Sequence, residues 1–412
     1  MVRAEIITIG DEILYGQILD TNTQWISQEL DKLGIKTVRK SSVGDAREAI
    51  VGIFDETQGR ADLVIITGGL GPTKDDLTKK ILADYFGSEL VLHPQALEDV
   101  TEFFKIRGRE LTEINRSQAF LPANCTFIRN AQGTAPAMWF DEKGIIWISM
   151  PGVPFEMKAI MEKEILPKLA GHFNTPTIVH RVIKTVGIGE SYLSVLIEDW
   201  ENNLPEHIKL AYLPSLGLVK LRLTGFGNDE IQLKKDIAIC ETSLKKIAGE
   251  YIFGYENDEL ESVVGELLRN KNETISVAES CTGGFLGHKF TSIAGSSDYF
   301  VGGVLAYSNE IKCNLLGVES EILKNFGAVS EECIRQMADG VRKMTGSTYG
   351  LATSGIAGPG GGTEDKPVGT VWIALSGPND TITQKLTLGG SRKHNIELST
   401  IACLNLLRKK IQ

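Results

Sequence analysis

Thr274-Ile-Ser-Val-Ala-Glu-Ser-Cys-Thr-Gly-Gly284 carries an apolar β-type run over 274–277 into a turn of small residues, and a helical pattern starts at Phe285. A strand feeding a helix through such a turn is the building unit of an α/β domain. A serine placed there stands at the carboxyl edge of a sheet, where the free N–H groups of a helix start hold negative charge. Two more segments lie downstream, Tyr307-Ser-Asn-Glu-Ile-Lys312 and Ser354-Gly-Ile-Ala-Gly-Pro-Gly-Gly-Gly362. Together they offer a nucleophile, a lysine base and a glycine-rich cradle for an anion, and no histidine has to take part. That combination suits metal-free hydrolysis of a phosphorylated small molecule.

Serine is a poor nucleophile until a base takes its proton, which puts Ser280 in need of a partner. Beyond residue 250 the histidines are His288 and His394, and His288 lies two helical turns past Ser280, pointing elsewhere. Lys312 is the better base, since burial disfavours an ammonium and frees its lone pair, although most lysines are simply solvated. Tyr307 orients the lysine or a substrate ring. Cys281 carries the intrinsically stronger nucleophile. Adjacent turn residues point in different directions, so one of Ser280 and Cys281 faces the ligand, and a thiol packed beneath the turn is the simpler reading. Glu279 orients the turn or the substrate, or satisfies nearby N–H groups. Thr282, Gly283 and Gly284 of the turn, with Ser354, Gly355 and Gly358 of the second glycine segment, are expected to line the substrate site. Arg392, in Gly389-Gly-Ser-Arg392, offers a guanidinium suited to a phosphate.

Working toward the amino end, short apolar runs over 4–9, 35–39, 62–67 and 144–149 alternate with amphipathic segments over 23–33, 47–57 and 155–166. This pattern predicts a mainly parallel sheet covered on both faces, a three-layer α/β domain. Three glycine-bearing turns each follow a predicted strand: Gly10-Asp-Glu-Ile13, Gly68-Gly-Leu-Gly-Pro-Thr-Lys-Asp-Asp76 and Pro151-Gly-Val-Pro154. Ligands of open α/β sheets sit outside the carboxyl ends of strands, where all three should converge. In the second turn Gly68, Gly69 and Gly71 let a phosphate approach the backbone, and Thr73 is placed to cap a helix beginning near Asp75. Asp75 and Asp76 beside a phosphate would repel it unless a cation such as Mg²⁺ lay between, with Asp11 and Glu12 as further ligands.

A chain of 412 residues is too long for one ordinary core. We expect domains over 1–172, 176–252 and 255–412, the middle one a small α+β module with strands over 181–186 and 218–224 and helices over 191–200 and 229–248. In the last domain, strands are expected near 274–278, 301–307, 349–354 and 368–375. A net charge of −10 with no basic segment argues against direct nucleic-acid binding. The six cysteines form no CxxC, which disfavours zinc and disulfides and fits a reducing cytosol. Met1-Val-Arg-Ala-Glu-Ile6 is no signal peptide and no run has the length of a membrane span, so a cytoplasmic location is expected.

Several of these stretches resemble the CinA family (competence/damage-inducible protein A). In the first domain they are the Gly68–Asp76 turn, Asp20-Thr-Asn22, Asn130-Ala-Gln-Gly-Thr-Ala-Pro136 and Pro151-Gly-Val-Pro-Phe-Glu-Met157. In the last they are Ala278-Glu-Ser-Cys-Thr-Gly-Gly284, the segment from Tyr307 to Lys312, Gly327-Ala-Val-Ser330, Ser354 to Pro359 and Lys366-Pro-Val-Gly-Thr370. The resemblance implies a molybdopterin-binding-like first domain with metal-dependent ADP-ribose pyrophosphatase activity, on which Asp76 is catalytic and Asp75, Asp76, Asp11 and Glu12 bind metal. It implies a KH-like middle module, although no GxxG loop is present to carry RNA binding with it. For the last domain it implies nicotinamide mononucleotide deamidase activity without a cofactor. There Ser280 is the nucleophile, Lys312 its base, Tyr307 an assistant and Arg392 a phosphate ligand. A homodimer is implied as well. Two rivals remain, a protein that merely binds a molybdopterin-like or nucleotide ligand, and an accessory of DNA uptake or repair.

Overall fold

The runs that read as buried strands do pair in parallel. In the computed structural model, which describes residues 2–73 and 76–412, β1 (Arg3–Ile9) lies between β2 (Lys36–Val43) and β3 (Leu63–Thr67). Helices α1 (Asp11–Leu14) and α2 (Thr21–Lys32) follow β1, α3 (Arg47–Thr57) follows β2, and α4 (Thr78–Tyr85) follows β3. An excursion comes next: β4 (Leu90–Leu92), α5 (Pro94–Ile106), α6 (Glu113–Arg116) and β5 (Phe120–Pro122), with β4 and β5 antiparallel. Then β6 (Thr126–Ile128), β7 (Ala137–Glu142) and β8 (Ile145–Met150) complete a sheet of order β2-β1-β3-β8-β7-β6. Its first four strands are parallel, while β7 pairs antiparallel with β8 and β6 antiparallel with β7. Finally α7 (Pro154–Ile160) runs through a π turn at Met161–Ile165 into α8 (Leu166–His172).

Side-chain alternation makes this a three-layer domain. Leu63 and Ile65 of β3 pack with Ile26 and Leu30 of α2 and Met157 and Ile160 of α7. Val64 and Ile66 point the other way, onto Ile50 and Phe54 of α3 and Ile81 and Leu82 of α4. Each such side chain taken out of water contributes about 1.5–3 kcal/mol, which fixes the register of β3 on both faces. The chain passes from β1 to β2 on one side and then to β3 on the other, so a crevice opens at the carboxyl ends of β1 and β3.

The chain divides into two units, Met1–Val179 with Phe226–Leu233, and His180–Gly225 with Lys234–Gln412. The second carries a four-stranded sheet of order β10-β11-β9-β12, built from β9 (Thr177–Val186), α9 (Glu190–Asn202), β10 (Ile208–Ser215), β11 (Leu218–Gly227), α10 (Glu230–Ala248) and β12 (Ile252–Tyr255). It then continues through α11 (Leu260–Lys271), β13 (Ile275–Glu279), α12 (Phe285–Thr291), β14 (Phe300–Leu305), α13 (Asn309–Leu316), α14 (Ser320–Asn325) and α15 (Glu331–Thr345). After these come β15 (Tyr349–Gly355), β16 (Thr370–Ser376), β17 (Thr381–Thr387) and α16 (Arg392–Ile411). Here the sheet order is β14-β13-β15-β16-β17, parallel across β14, β13 and β15 and antiparallel beyond.

One face of this sheet is large-residue packing: Val277, Leu351 and Ile373 against Val264 of α11, Phe290 of α12 and Leu404 of α16. The other face shows Ala278, Ala352 and Ala374, small enough for α15 to lie close. A Cβ on Gly350 would sit 2.3 Å from the carbonyl of Ala338, so α15 requires glycine there. Sequence signals set the ends of α15: Ser330 accepts from the Cys333 N–H at 3.3 Å, Glu331 and Glu332 fill the first turn, and Gly346 closes in the left-handed region. Strands β10 and β17 were not expected; both are edge strands, exposed enough that polar residues interrupt their apolar alternation. Among the described residues, no helix is long and apolar enough to cross a membrane.

Candidate functional site

Strand β13 is clamped at its carboxyl end, where the Ser280 N–H donates to the Thr353 carbonyl at 3.0 Å and the Ala306 N–H to the Glu279 carbonyl at 2.7 Å. Ser280 is therefore the first residue beyond the sheet. Facing it is α13, capped by Ser308, whose hydroxyl accepts from the Ile311 N–H at 3.2 Å. Helical side chains lean toward the amino end, and so Lys312 points back at the strand ends. Its Nζ lies 3.1 Å from Ser280 Oγ, 2.6 Å from the Ala306 carbonyl and 3.3 Å from the Tyr307 carbonyl.

Only 1% of Lys312 is exposed, and that burial pushes its ammonium below the ordinary 10.5, opposed by the thiols of Cys333, Cys281 and Cys313. The two carbonyls can only accept. A neutral amine donates one N–H to each and turns its lone pair to Ser280 Oγ, the arrangement a proton acceptor needs. Cys281 lies buried, with its thiol pushed up to about 11 by burial, which leaves it protonated and packed under the turn.

The structure places the other candidates differently from one another. Glu279 is buried, and its carboxylate accepts from the N–H groups of Gly284 at 2.9 Å, Leu286 at 3.1 Å and Gly287 at 2.7 Å. The N–H groups expected to be free at the start of α12 are thus already neutralised by an internal anion. Those of Thr282 and Gly283 find no acceptor among the described residues. Tyr307 contributes its carbonyl to Lys312, while its ring is 69% exposed. The Ser354 hydroxyl donates to the Ala328 carbonyl at 2.7 Å and so anchors the 327–330 segment.

Beyond Gly355 the glycine segment is held from below. Arg392, at the start of α16, donates to the Gly358 carbonyl at 2.9 Å. Asn395, fully buried, donates to the carbonyls of Ala357 and Gly390 at 3.0 Å each and accepts from the Gly390 N–H at 3.1 Å. Asn395 was missed in the sequence, where an asparagine inside a helix carries no distinguishing signal. It ties the Gly358 segment to the turn that bears Arg392.

In the first unit the three glycine turns do meet, around a cleft of about 510 Å³ whose lining includes Glu12, Gly68, Gly69, Gly71, Asp76 and Gly152. Gly68 and Gly69 have φ of 111° and 64°, and the N–H groups of Gly69, Leu70 and Gly71 find no acceptor among the described residues. Thr73 is not the expected cap, because α4 begins at Thr78; instead Thr73 donates its N–H and hydroxyl to Asp76 Oδ2 at 3.0 and 2.5 Å. A Cβ on Gly71 would lie 2.4 Å from that oxygen.

Asp75 lies outside the described residues. Among those described, no three His, Cys, Asp or Glu side chains are arranged to hold a metal ion. The acidic character predicted around Asp11 and Glu12 is nevertheless present, and Asp45 adds to it. Its carboxyl is pushed up by burial and by the charges of Asp11, Glu12 and Asp76, while the Asp11 N–H donates to it at 3.3 Å. Asp45 follows β2, one residue beyond Gly44.

Three family models match the chain: the "Probable molybdopterin binding domain" over residues 5–171, the "Damage-inducible protein CinA KH domain" over 180–254 and the "CinA C-terminal domain" over 257–411. A CinA-like protein of Cytophaga hutchinsonii is 52% identical over 100% of this chain and 98% of its own. Another, of Flavobacterium psychrophilum, is 43% identical over 100% and 99%. The crystal structure of competence/damage inducible protein CihA from Agrobacterium tumefaciens is 35% identical over 37% of this chain and 94% of its own, with a TM-score of 0.37. With relatives alike from end to end and a family model on each domain, the chain belongs to the CinA family.

Proposed function

We propose that the C-terminal domain hydrolyses the carboxamide of nicotinamide mononucleotide to nicotinate mononucleotide and ammonia, without a metal. The observation that carries this reading is the buried Lys312 amine, 3.1 Å from Ser280 Oγ with its other two directions spent on carbonyls. Ser280 Oγ bonds to the amide carbon as Lys312 takes its proton. The C–N bond then breaks, Lys312 returns the proton to the departing nitrogen, and ammonia leaves. Water attacks the resulting ester, giving one proton to Lys312 and thence to Ser280 Oγ. The N–H groups of Thr282 and Gly283 supply the oxyanion site, at about 3 kcal/mol per donor. Arg392 and the N–H groups of the Gly358 segment supply the phosphate site. An amide joined to a phosphate is what these two halves fit, and the CinA resemblance names the substrate.

For the first domain we propose hydrolysis of ADP-ribose to AMP and ribose 5-phosphate with a divalent metal. Supporting it are the N–H groups at Gly69–Gly71, unpaired among the described residues, in a cleft lined by Glu12 and Asp76, and the charges of Asp11, Glu12 and Asp76, which push the Asp45 carboxyl up. One or two of these carboxylates, together with pyrophosphate oxygens, would hold the ion, which when bound would offset charge on the pyrophosphate. Direct DNA contact is disfavoured by the net charge of −10, whatever the relatives' names suggest. Supplying the purified chain with each nucleotide separately, with and without EDTA, tests both readings. Chelator-resistant ammonia release and chelator-sensitive AMP formation are expected, and the loss of either overturns the reading of that domain.

A further inference from the structure

We infer that Asn395 is a positioning residue for phosphate recognition. By fixing the Gly358 segment against the turn that carries Arg392, it sets how strongly the C-terminal domain prefers a phosphorylated substrate to its dephosphorylated form. This rests on the reading of Arg392 and the Gly358 segment as a phosphate site. Asn395 is the fourth residue of α16 and is 0% exposed. Its amide is fully committed. The carbonyls of Ala357 and Gly390 can only accept, so the two hydrogens of Nδ2 go to them, at 3.0 Å each. The Gly390 N–H can only donate, and Oδ1 takes it at 3.1 Å. A flipped amide satisfies none of the three.

The stretch being held cannot hold itself. Of the six residues Ala357-Gly-Pro-Gly-Gly-Gly362 four are glycine, which orders its backbone poorly. Among the described residues two hydrogen bonds anchor this stretch, from Arg392 to the Gly358 carbonyl and from Asn395 to the Ala357 carbonyl. The N–H groups of Gly358, Gly360, Gly361 and Gly362 find no acceptor there, which leaves them for an anion. Arg392 is exposed, so a phosphate competes with the Gly358 carbonyl for its guanidinium. Asn395 is sealed beneath, and its hold persists when the ligand arrives. Donors on two separate segments bind one phosphate well only at a fixed separation, and a shift of about 1 Å is enough to forfeit much of their effect.

The test is ammonia release by the full chain from nicotinamide mononucleotide and from nicotinamide riboside, which lacks the phosphate, with inorganic phosphate as a competitor of the first. Wild-type kcat/KM should favour the mononucleotide by at least about 10²-fold. Asn395→Leu is similar in volume and makes none of the three bonds; in it that preference and the affinity for inorganic phosphate should each fall about 10–100-fold. The loss should appear in KM for the mononucleotide, with turnover of the riboside kept within about threefold. Damage reaching Ser280 and Lys312 would instead slow both substrates alike and leave the preference as it was. Asn395→Asp keeps the acceptor for the Gly390 N–H and replaces the amide donors by oxygen, and it should lose preference too. A preference and a phosphate affinity held within about threefold in either folded variant overturn the inference. Failure of both variants to fold overturns it as well, since the residue is then structural. A wild type that turns over both substrates equally well removes the phosphate site, and the inference with it, while the deamidase reading stands. No ammonia from the mononucleotide overturns that reading and the inference together.

Discussion

Replacing Lys312 by methionine keeps most of the side-chain volume while removing the amine. If Lys312 takes the proton of Ser280, the chemical step should slow by the amount a positioned base supplies, about 10²–10⁴-fold, or roughly 2.7–5.4 kcal/mol. Folding should suffer less. The carbonyls of Ala306 and Tyr307 lose their donor, at about 1–3 kcal/mol for each that stays buried and unpaired, but a buried ammonium is relieved at the same time. The pH dependence separates a base from a prop. Burial holds the folded Lys312 below 10.5, so between its folded and unfolded values the unfolded chain binds the extra proton, and stability rises with pH across that window. Activity should rise over the same window as the neutral amine becomes populated. Ammonia release from nicotinamide mononucleotide, followed from pH 6 upward with a melting curve at each pH, should show both limbs in the wild type and neither in Lys312→Met. A folded Lys312→Met that keeps near-normal turnover at neutral pH would refute the assignment.

Other substitutions probe the rest of each site. Ser280→Ala should lose ammonia release by at least about 10³-fold with little change in melting temperature, as expected where a nucleophile is removed and no packing is disturbed. Cys281→Ala should keep activity within about threefold, because a thiol held near 11 takes no part; a collapse in a folded variant would reassign the nucleophile. Glu279→Gln turns an amide N–H₂ toward the backbone donors of α12, and losing charge-assisted bonds should cost about 3 kcal/mol, a fall of about 6–12 °C in the melting temperature of this domain. In the first domain, Asp76→Ala should abolish AMP formation from ADP-ribose and leave ammonia release intact, measured on the same preparation.

The fold was legible where one period dominated. Strands such as β3, apolar at four of its five positions, and amphipathic helices such as α2, expected over 23–33, stand out in the sequence. Edge strands β10 and β17 do not, since a strand that buries little on either face has no reason to alternate cleanly. The dyad was legible from the turn chemistry at Ser280 and a lysine placed after a strand. What no spacing reveals is where hydrogen bonds go once the chain has folded. Glu279 looked as ready to meet a substrate as to cap a helix, and only the three N–H groups it accepts decide between them. Thr73 looks like a cap because helix starts favour threonine, but α4 begins at Thr78. Asn395 is invisible in the sequence for the same reason, as an asparagine is defined by its partners rather than by its neighbours in sequence.

The mechanism proposed for the C-terminal domain passes through a serine ester formed with help from a lysine. Rapid acid quench of the wild-type chain turning over nicotinamide mononucleotide, followed by peptide mass spectrometry, tests this directly. The prediction is a nicotinate mononucleotide acyl group on Ser280, within the peptide that also holds Cys281, absent in Ser280→Ala and formed equally well in EDTA. The same acyl group on Cys281, or turnover undiminished in Ser280→Ala, would contradict it.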